Sequence, residues 1–138
     1  MKTDRRLVLD TNLLVSRLLS PQGTAARAVD RALQWGTPLM SLETLQELSE
    51  VLSRPKFDPY IPTRDRRHFM TLLGGVARMV TISHRVAACR DPRDDKFLHV
   101  ALNGEAELIL TGDADLLALN PFHGVQILNP AAFLDRPP

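Results

Sequence analysis

The chain has a single cysteine, Cys89, among 138 residues. This excludes an intrachain disulfide and a zinc site built on several thiolates, and it suits a reducing cytosol, so a cytoplasmic location is expected. No apolar run approaches the roughly 20 residues that a membrane helix needs, so no membrane partner is expected. The opening Met1-Lys2-Thr3-Asp4-Arg5-Arg6 is charged and leads into only a short apolar stretch, which does not read as a signal peptide. Internal repeats and low-complexity segments are missing. There is also no glycine-rich phosphate loop, because Gly74-Gly75 falls inside a helical pattern and matches no phosphate motif. Charge of one sign is not in surplus: the formal net charge is +1, which neither demands nor excludes a nucleic-acid partner, since local patches decide binding. His68, His84, His99 and His123 show no metal-ligand spacing and read as surface or packing residues. Cys89 beside Arg90 fits either a slightly activated thiol or, more plainly, a small packed residue.

What is present is an ordinary globular composition, 44% apolar and 24% charged, in a length that fits one domain spanning residues 1–138. Leu7-Val8-Leu9 is continuous rather than alternating, as a strand covered on both faces requires. Further strands are expected at Pro38-Leu39-Met40, Met79-Val80-Thr81-Ile82, Leu108-Ile109-Leu110 and Val125-Gln126-Ile127-Leu128. Helical patterns lie between them, over residues 13–19, 25–35, 42–52, 63–77, 94–103 and 115–119, with a last turn from Pro130. Thr24 and Ser41 are expected as N-caps. Strands alternating with helices predict a three-layer α/β/α sandwich with a mainly parallel central sheet of about five strands and right-handed crossovers.

Acidic residues stand where the buried segments end. Asp10 closes the first strand and begins Asp10-Thr11-Asn12; Asp113 and Asp115 follow the Leu108-Ile109-Leu110 run; Asp94 and Asp95 open an amphipathic helix; Glu47 lies within Leu45-Gln46-Glu47-Leu48. An acid at the carboxyl end of a buried strand is costly unless compensated, and in parallel sheets that end is where sites are built. Each acid also has a plain structural explanation: Asp10 as a helix cap, Asp94 and Asp95 against a helix dipole, and Asp115 as the start of a helix after a Thr111-Gly112-Asp113 turn. Glu43 and Glu50 read as a solvated stripe beside Glu47. Taken together, the acids fit an all-oxygen site for Mg²⁺ or Mn²⁺ better than one for zinc. Asn12 is placed to hold a neighbouring carboxylate. Asp95 shares a helical face with Leu98, His99 and Leu102 and is expected to point toward the sheet, leaving Asp94 as the solvent-facing cap. Arg85, Arg90, Arg93 and Lys96 bracket the acid pair, and Arg54 and Lys56 follow the Glu47 helix. This is either a basic rim for a polyanion or an ordinary solvated surface.

These stretches, in this order, resemble the PIN-domain nucleases, of the kind found as VapC-like toxins. The resemblance rests on Leu7-Val8-Leu9-Asp10-Thr11-Asn12, on the Glu47 helix with its Arg54-Pro55-Lys56-Phe57 exit, and on Arg90-Asp91-Pro92-Arg93-Asp94-Asp95-Lys96-Phe97-Leu98. It continues through Leu110-Thr111-Gly112-Asp113-Ala114-Asp115-Leu116-Leu117 to Ile127-Leu128-Asn129-Pro130-Ala131-Ala132-Phe133-Leu134, and so covers nearly the whole chain. It implies a PIN-like fold and metal-dependent cleavage of single-stranded RNA. It also implies one or two Mg²⁺ or Mn²⁺ ions, a cognate antitoxin and a homodimer. The family's acids map onto Asp10, Glu47, Asp95 and Asp113 as catalytic and metal-binding residues, with Asp94 the alternative to Asp95. Thr111 matches the hydroxyl residue before the fourth acid; Asn12, Asp94 and Asp115 would support the site, and Arg90, Arg93 and Lys96 would hold the substrate backbone.

Two rivals stand beside the ribonuclease reading. A phosphatase of the haloacid dehalogenase type also puts Asp after its first strand, but it needs a second Asp where Asn12 stands. A PIN-like module that binds RNA or protein without catalysis would use the acids only as caps.

Overall fold

The computed structural model describes residues 4–136, so the charged opening is seen only from Asp4 onward. Strand β1 (Arg6–Leu9) leads into α1 (Thr11–Leu19) and α2 (Thr24–Trp35), and β2 (Thr37–Met40) into α3 (Leu42–Leu52) and α4 (Thr63–Val76). Then come β3 (Arg78–Met79), α5 (Asp95–Asn103), β4 (Leu108–Leu110), α6 (Ala114–Leu117), β5 (Gln126–Leu128) and α7 (Pro130–Leu134). Short 3₁₀ turns at Pro55–Phe57 and Pro92–Asp94 precede α4 and α5. The sheet order is β3-β2-β1-β4-β5, and every pairing is parallel.

The pleat sends alternate strand residues to opposite faces. Leu7 and Leu9 of β1, with Leu108 and Leu110 of β4, face one core, shared with Leu14, Val29, Leu48, Phe69 and Phe133 from α1, α2, α3, α4 and α7. Val8 and Ile109 face the other, built with Leu98 and Val100 of α5 and Leu116 of α6. Both faces are therefore covered, giving the expected α/β/α sandwich. This explains why the strand segments read as continuous apolar runs. Among the described residues no helix is long and apolar enough to cross a membrane.

Local chemistry sets the boundaries. Ser41 caps α3 through a reciprocal capping box with Thr44, as its sequence position predicts. Thr24 does not cap α2: Gly23 occupies the N-cap position and Thr24 is the first helical residue. Gly36 ends α2 where a Cβ would stand 2.7 Å from the Arg5 carbonyl oxygen, so only glycine lets the chain turn into β2 there. The third strand is shorter than the expected residues 79–82. After Met40 its partner β2 turns into α3, so the Val80 amide takes the Met40 carbonyl at 2.7 Å and nothing remains to pair with.

β1 and β4 lie side by side, and the chain leaves them in opposite directions, toward β2 and toward β5. This is the point in an open parallel sheet where the loops diverge and a crevice opens. Asp10 and Asp113 follow the carboxyl ends of these two strands.

Candidate active site at the carboxyl ends of β1 and β4

A cleft of about 150 Å³ opens at this crevice, lined by Asp10, Thr11, Asn12, Glu47, Val51, Arg54, Asp94, Phe97 and Asp113. Larger clefts elsewhere, of about 500 Å³ beside Trp35 and about 460 Å³ along β3, gather no comparable set of acids.

Asp10 serves two purposes. One oxygen accepts the Leu13 amide at 2.7 Å, making Asp10 the N-cap of α1, and the other accepts the hydroxyl of the fully buried Thr111. The helix-cap reading and the site reading therefore hold for the same side chain. Burial pushes the Asp10 carboxyl above its ordinary range; the Thr111 hydroxyl and Leu13 amide pull it down, while the charges of Asp113 and Glu47 push it up again. Thr111 also accepts the Asp113 amide at 3.0 Å, so one hydroxyl ties the two strand ends together. Asp113 in turn caps α6 through the Asp115 amide. Asp115 sits in the first turn of α6 and does not line the cleft.

Glu47 reaches the cleft from α3. Its Oε2 accepts the Thr11 hydroxyl and its Oε1 the Lys96 ammonium at 2.8 Å. Glu43 and Glu50 stay exposed, beside Arg85 and Arg54 respectively. Thr11 was not among the expected site residues; its only signal in the sequence is a hydroxyl next to Asp10. Asn12 lines the cleft but is exposed, and none of the described side-chain hydrogen bonds is its own. The holding role expected of Asn12 falls to Thr11 and Thr111.

The acid pair is placed the other way round from the sequence expectation. Asp94 lines the cleft, and its side chain makes no capping bond to α5. Burial, then the hydrogen bond and charge of Asp113, push its carboxyl up to about 6, with Asp91 and Glu47 adding to the rise. Asp95 is buried outside the cleft, where its Oδ1 accepts the amides of Ala88 and Cys89 at 3.1 and 2.8 Å. Burial opposes its charge, but the Cys89 and Ala88 amides prevail and its carboxyl lies below the ordinary range. The physical reason is the strap formed by residues 83–89, which runs along α5. Asn103 bonds Ser83 and His84, buried His99 meets the Val86 carbonyl at 2.9 Å, and Asp95 holds Ala88 and Cys89. Asp95, His99 and Asn103 recur every four residues and form one face of α5. That face is covered, as expected, but by the strap rather than at the cleft.

The basic residues also sort differently from a uniform rim. Lys96 is half-buried against Glu47, its side chain 11% exposed. Arg93 is paired with Asp91 at 2.8 Å. Arg90 is exposed at the end of the strap, and Arg54 lines the cleft. Cys89 is not activated: burial and the adjacent Asp95 push its thiol up to about 12.

The chain matches the PIN domain family over residues 6–115. It belongs to the PIN-domain family. PIN domains are generally nucleases that work with divalent cations, and membership displaces the phosphatase alternative. The chain is 28% identical over 120 residues to an uncharacterised protein of Methanocaldococcus jannaschii, covering 83% of this chain and 74% of that one. Among solved structures it is similar to a chain of VapBC2 from Rickettsia felis, bound to a DNA fragment from their promoter. That likeness has a TM-score of 0.61 at 13% identity and covers 90% of this chain and 98% of the other, a likeness of fold. As the side chains stand, no group of three or more His, Cys, Asp or Glu among the described residues of this PIN domain is arranged to hold a metal ion. Hydrogen bonds within the protein already engage Asp10, Glu47 and Asp113.

Proposed function

We propose that this PIN domain is an endoribonuclease that cuts single-stranded RNA with Mg²⁺ or Mn²⁺, acting as the toxin of a toxin–antitoxin pair. The observation that carries the reading is the meeting of Asp10, Glu47, Asp94 and Asp113, from separate segments, in one cleft at the switch point of a PIN-domain sheet. The donor set fits a hard cation: every candidate ligand is a carboxylate oxygen. Burial, and after it the nearby like charges, raises Asp10 and Asp94, and a bound cation would offset both. Asp10, Asp94 and Asp113 would hold the ion, with Glu47 beside them. When bound, a divalent cation supplies Lewis acidity, polarising the scissile phosphate and easing loss of a proton from the attacking water.

The chain's own residues do the rest. Thr111 fixes Asp10 relative to Asp113, and Thr11 fixes Glu47. Without a cation, burial and the neighbouring Asp113 push the Asp94 carboxyl up to about 6. Phe97 and Val51 give the cleft an apolar wall, and Arg54 at its lip is placed to take a backbone phosphate. A single strand can bend into so narrow a cleft where a duplex cannot. In-line attack by water would leave 5′-phosphate and 3′-hydroxyl ends. An antitoxin segment presenting Arg would suit the same acids, because a guanidinium binds carboxylates bidentately. A homodimer in the cytoplasm completes the proposal.

The test is cleavage of mixed single-stranded RNAs with Mn²⁺, with and without EDTA, by wild type and Asp10→Asn. Fragments should appear only with Mn²⁺ and only with wild type, while Asp10→Asn stays folded and melts no lower, since it keeps the cap and removes a crowded charge. Wild type that neither cuts RNA nor binds Mn²⁺ would leave the non-catalytic binding module as the better reading.

A further inference from the structure

The acids of the cleft are not equivalent. Among the described residues no Lys or Arg pairs with Asp10, Asp94 or Asp113, whereas Glu47 is fully engaged: Thr11 holds Oε2 and Lys96 holds Oε1 at 2.8 Å. Lys96 is not a surface lysine that has swung inward. It sits in the first turn of α5 between Asp95, tied to the strap, and Phe97, buried in the core, so the backbone that carries it is held on both sides. With its side chain 11% exposed, Lys96 has Glu47 as the partner that offsets the cost of covering an ammonium.

We propose that this site takes a single divalent cation, because the Lys96 ammonium already occupies the side of the cluster that a second ion would need. The inference rests on the nuclease reading and sharpens it. A two-ion site needs carboxylate oxygens on both sides of a pair of ions about 4 Å apart. Here Asp10, Asp94 and Asp113 have no basic partner among the described residues, whereas Glu47 already has one in Lys96. A dication on Oε1 would stand in contact with the Lys96 ammonium, which lies 2.8 Å from that oxygen. Lys96 therefore takes the part of a second metal beside Glu47: without lining the cleft itself, it neutralises the carboxylate that does. Glu47 is then a positioning residue for Lys96 and not a metal ligand.

The test is Mn²⁺ binding to the intact chain, counted by titration calorimetry and by the loss of the free-Mn²⁺ electron spin resonance signal. Wild type should bind one ion per chain. Glu47→Gln should hold that ion within about threefold of wild type, and Asp94→Asn should weaken it at least about tenfold. Lys96→Met should admit a second ion, and Lys96→Met combined with Glu47→Gln should return the count to one. The wild-type and Glu47→Gln arms stand even if Lys96→Met folds poorly, and the double variant removes the acid that the single one leaves unpaired. Two ions on wild type, a tenfold loss in Glu47→Gln, or a count of one in folded Lys96→Met would each overturn the single-ion inference while leaving the nuclease reading intact. No Mn²⁺ binding by wild type would remove the nuclease reading and the inference with it.

Discussion

Asp94 and Asp95 are adjacent in the chain but look to different sides: Asp94 lines the acidic cleft near Asp113, while Asp95 is buried against the backbone amides of Ala88 and Cys89. One acid is left facing other acids, and its neighbour has its charge satisfied by N–H donors. This separates a residue poised for chemistry from one that fastens a loop.

Asp95→Ala should therefore loosen the strap. It leaves two half-buried amides without their acceptor, at a cost of about 1 kcal/mol in global stability. Hydrogen exchange at Ala88 and Cys89 should speed up well beyond that at the core strands. The stabilisation has a definite pH sign. The Asp95 carboxyl lies below its ordinary value in the folded chain, so its contribution is present above the unfolded value near 3.8 and fades as pH falls through the lower, folded value. Unchanged exchange at those two amides would contradict the anchoring role.

Much of the molecule was legible in the residues. The apolar runs at residues 7–9 and 108–110, with an acid just beyond each, located the two central strands and the crevice between them. Ser41 announced α3 by capping chemistry, and Pro130 the last helical turn. The choice between Asp94 and Asp95 was not legible. A helical-face argument says which residues are covered, not what covers them: the Leu98 and Leu102 side of α5 is inward, yet at Asp95, His99 and Asn103 the cover is the strap, a polar loop with no periodicity of its own. The place of Lys96 is hidden for a related reason. A lysine beside two acids reads as solvated rim, and only the tertiary approach of α3 brings Glu47 to it. The short third strand depended on where its partner ended, which is not written in residues 79–82.

Thr111 links the two strand ends, so Thr111→Val should cost more than its small volume suggests. The variant keeps the shape but strips Asp10 of a buried hydrogen bond and leaves the Asp113 amide without an acceptor. The loss should be about 1–3 kcal/mol by urea denaturation, while Thr111→Ser should recover most of it. Equal stability of Val and Ser variants would show that the hydroxyl does not hold the acids.

The metal-free protein should become more stable on mild acidification. In the folded chain Asp94 titrates at about 6, above the 3.8 of an unperturbed carboxyl. Between those values the folded state binds more protons than the unfolded one, so stability falls as pH rises from about 4 to about 6. Melting in EDTA should show a higher temperature near pH 5 than near pH 7, and Asp94→Asn should flatten that difference. A wild-type melting temperature that rises from pH 5 to pH 7 with no dependence on Asp94 would contradict the crowding of Asp94 against Asp113.

The assignment of the cleft is tested most directly by a side-by-side assay of Mn²⁺-dependent cleavage of single-stranded RNA by wild type, Asp94→Asn and Asp95→Asn. Wild type should cut and EDTA should stop it. Asp94→Asn should lose at least about a hundredfold in rate, the scale for removing a group that acts directly on the reaction. Asp95→Asn keeps one carbonyl oxygen for the strap and should stay within about tenfold of wild type. The opposite ranking, with Asp95→Asn inactive while folded and Asp94→Asn active, would contradict the assignment of the cleft.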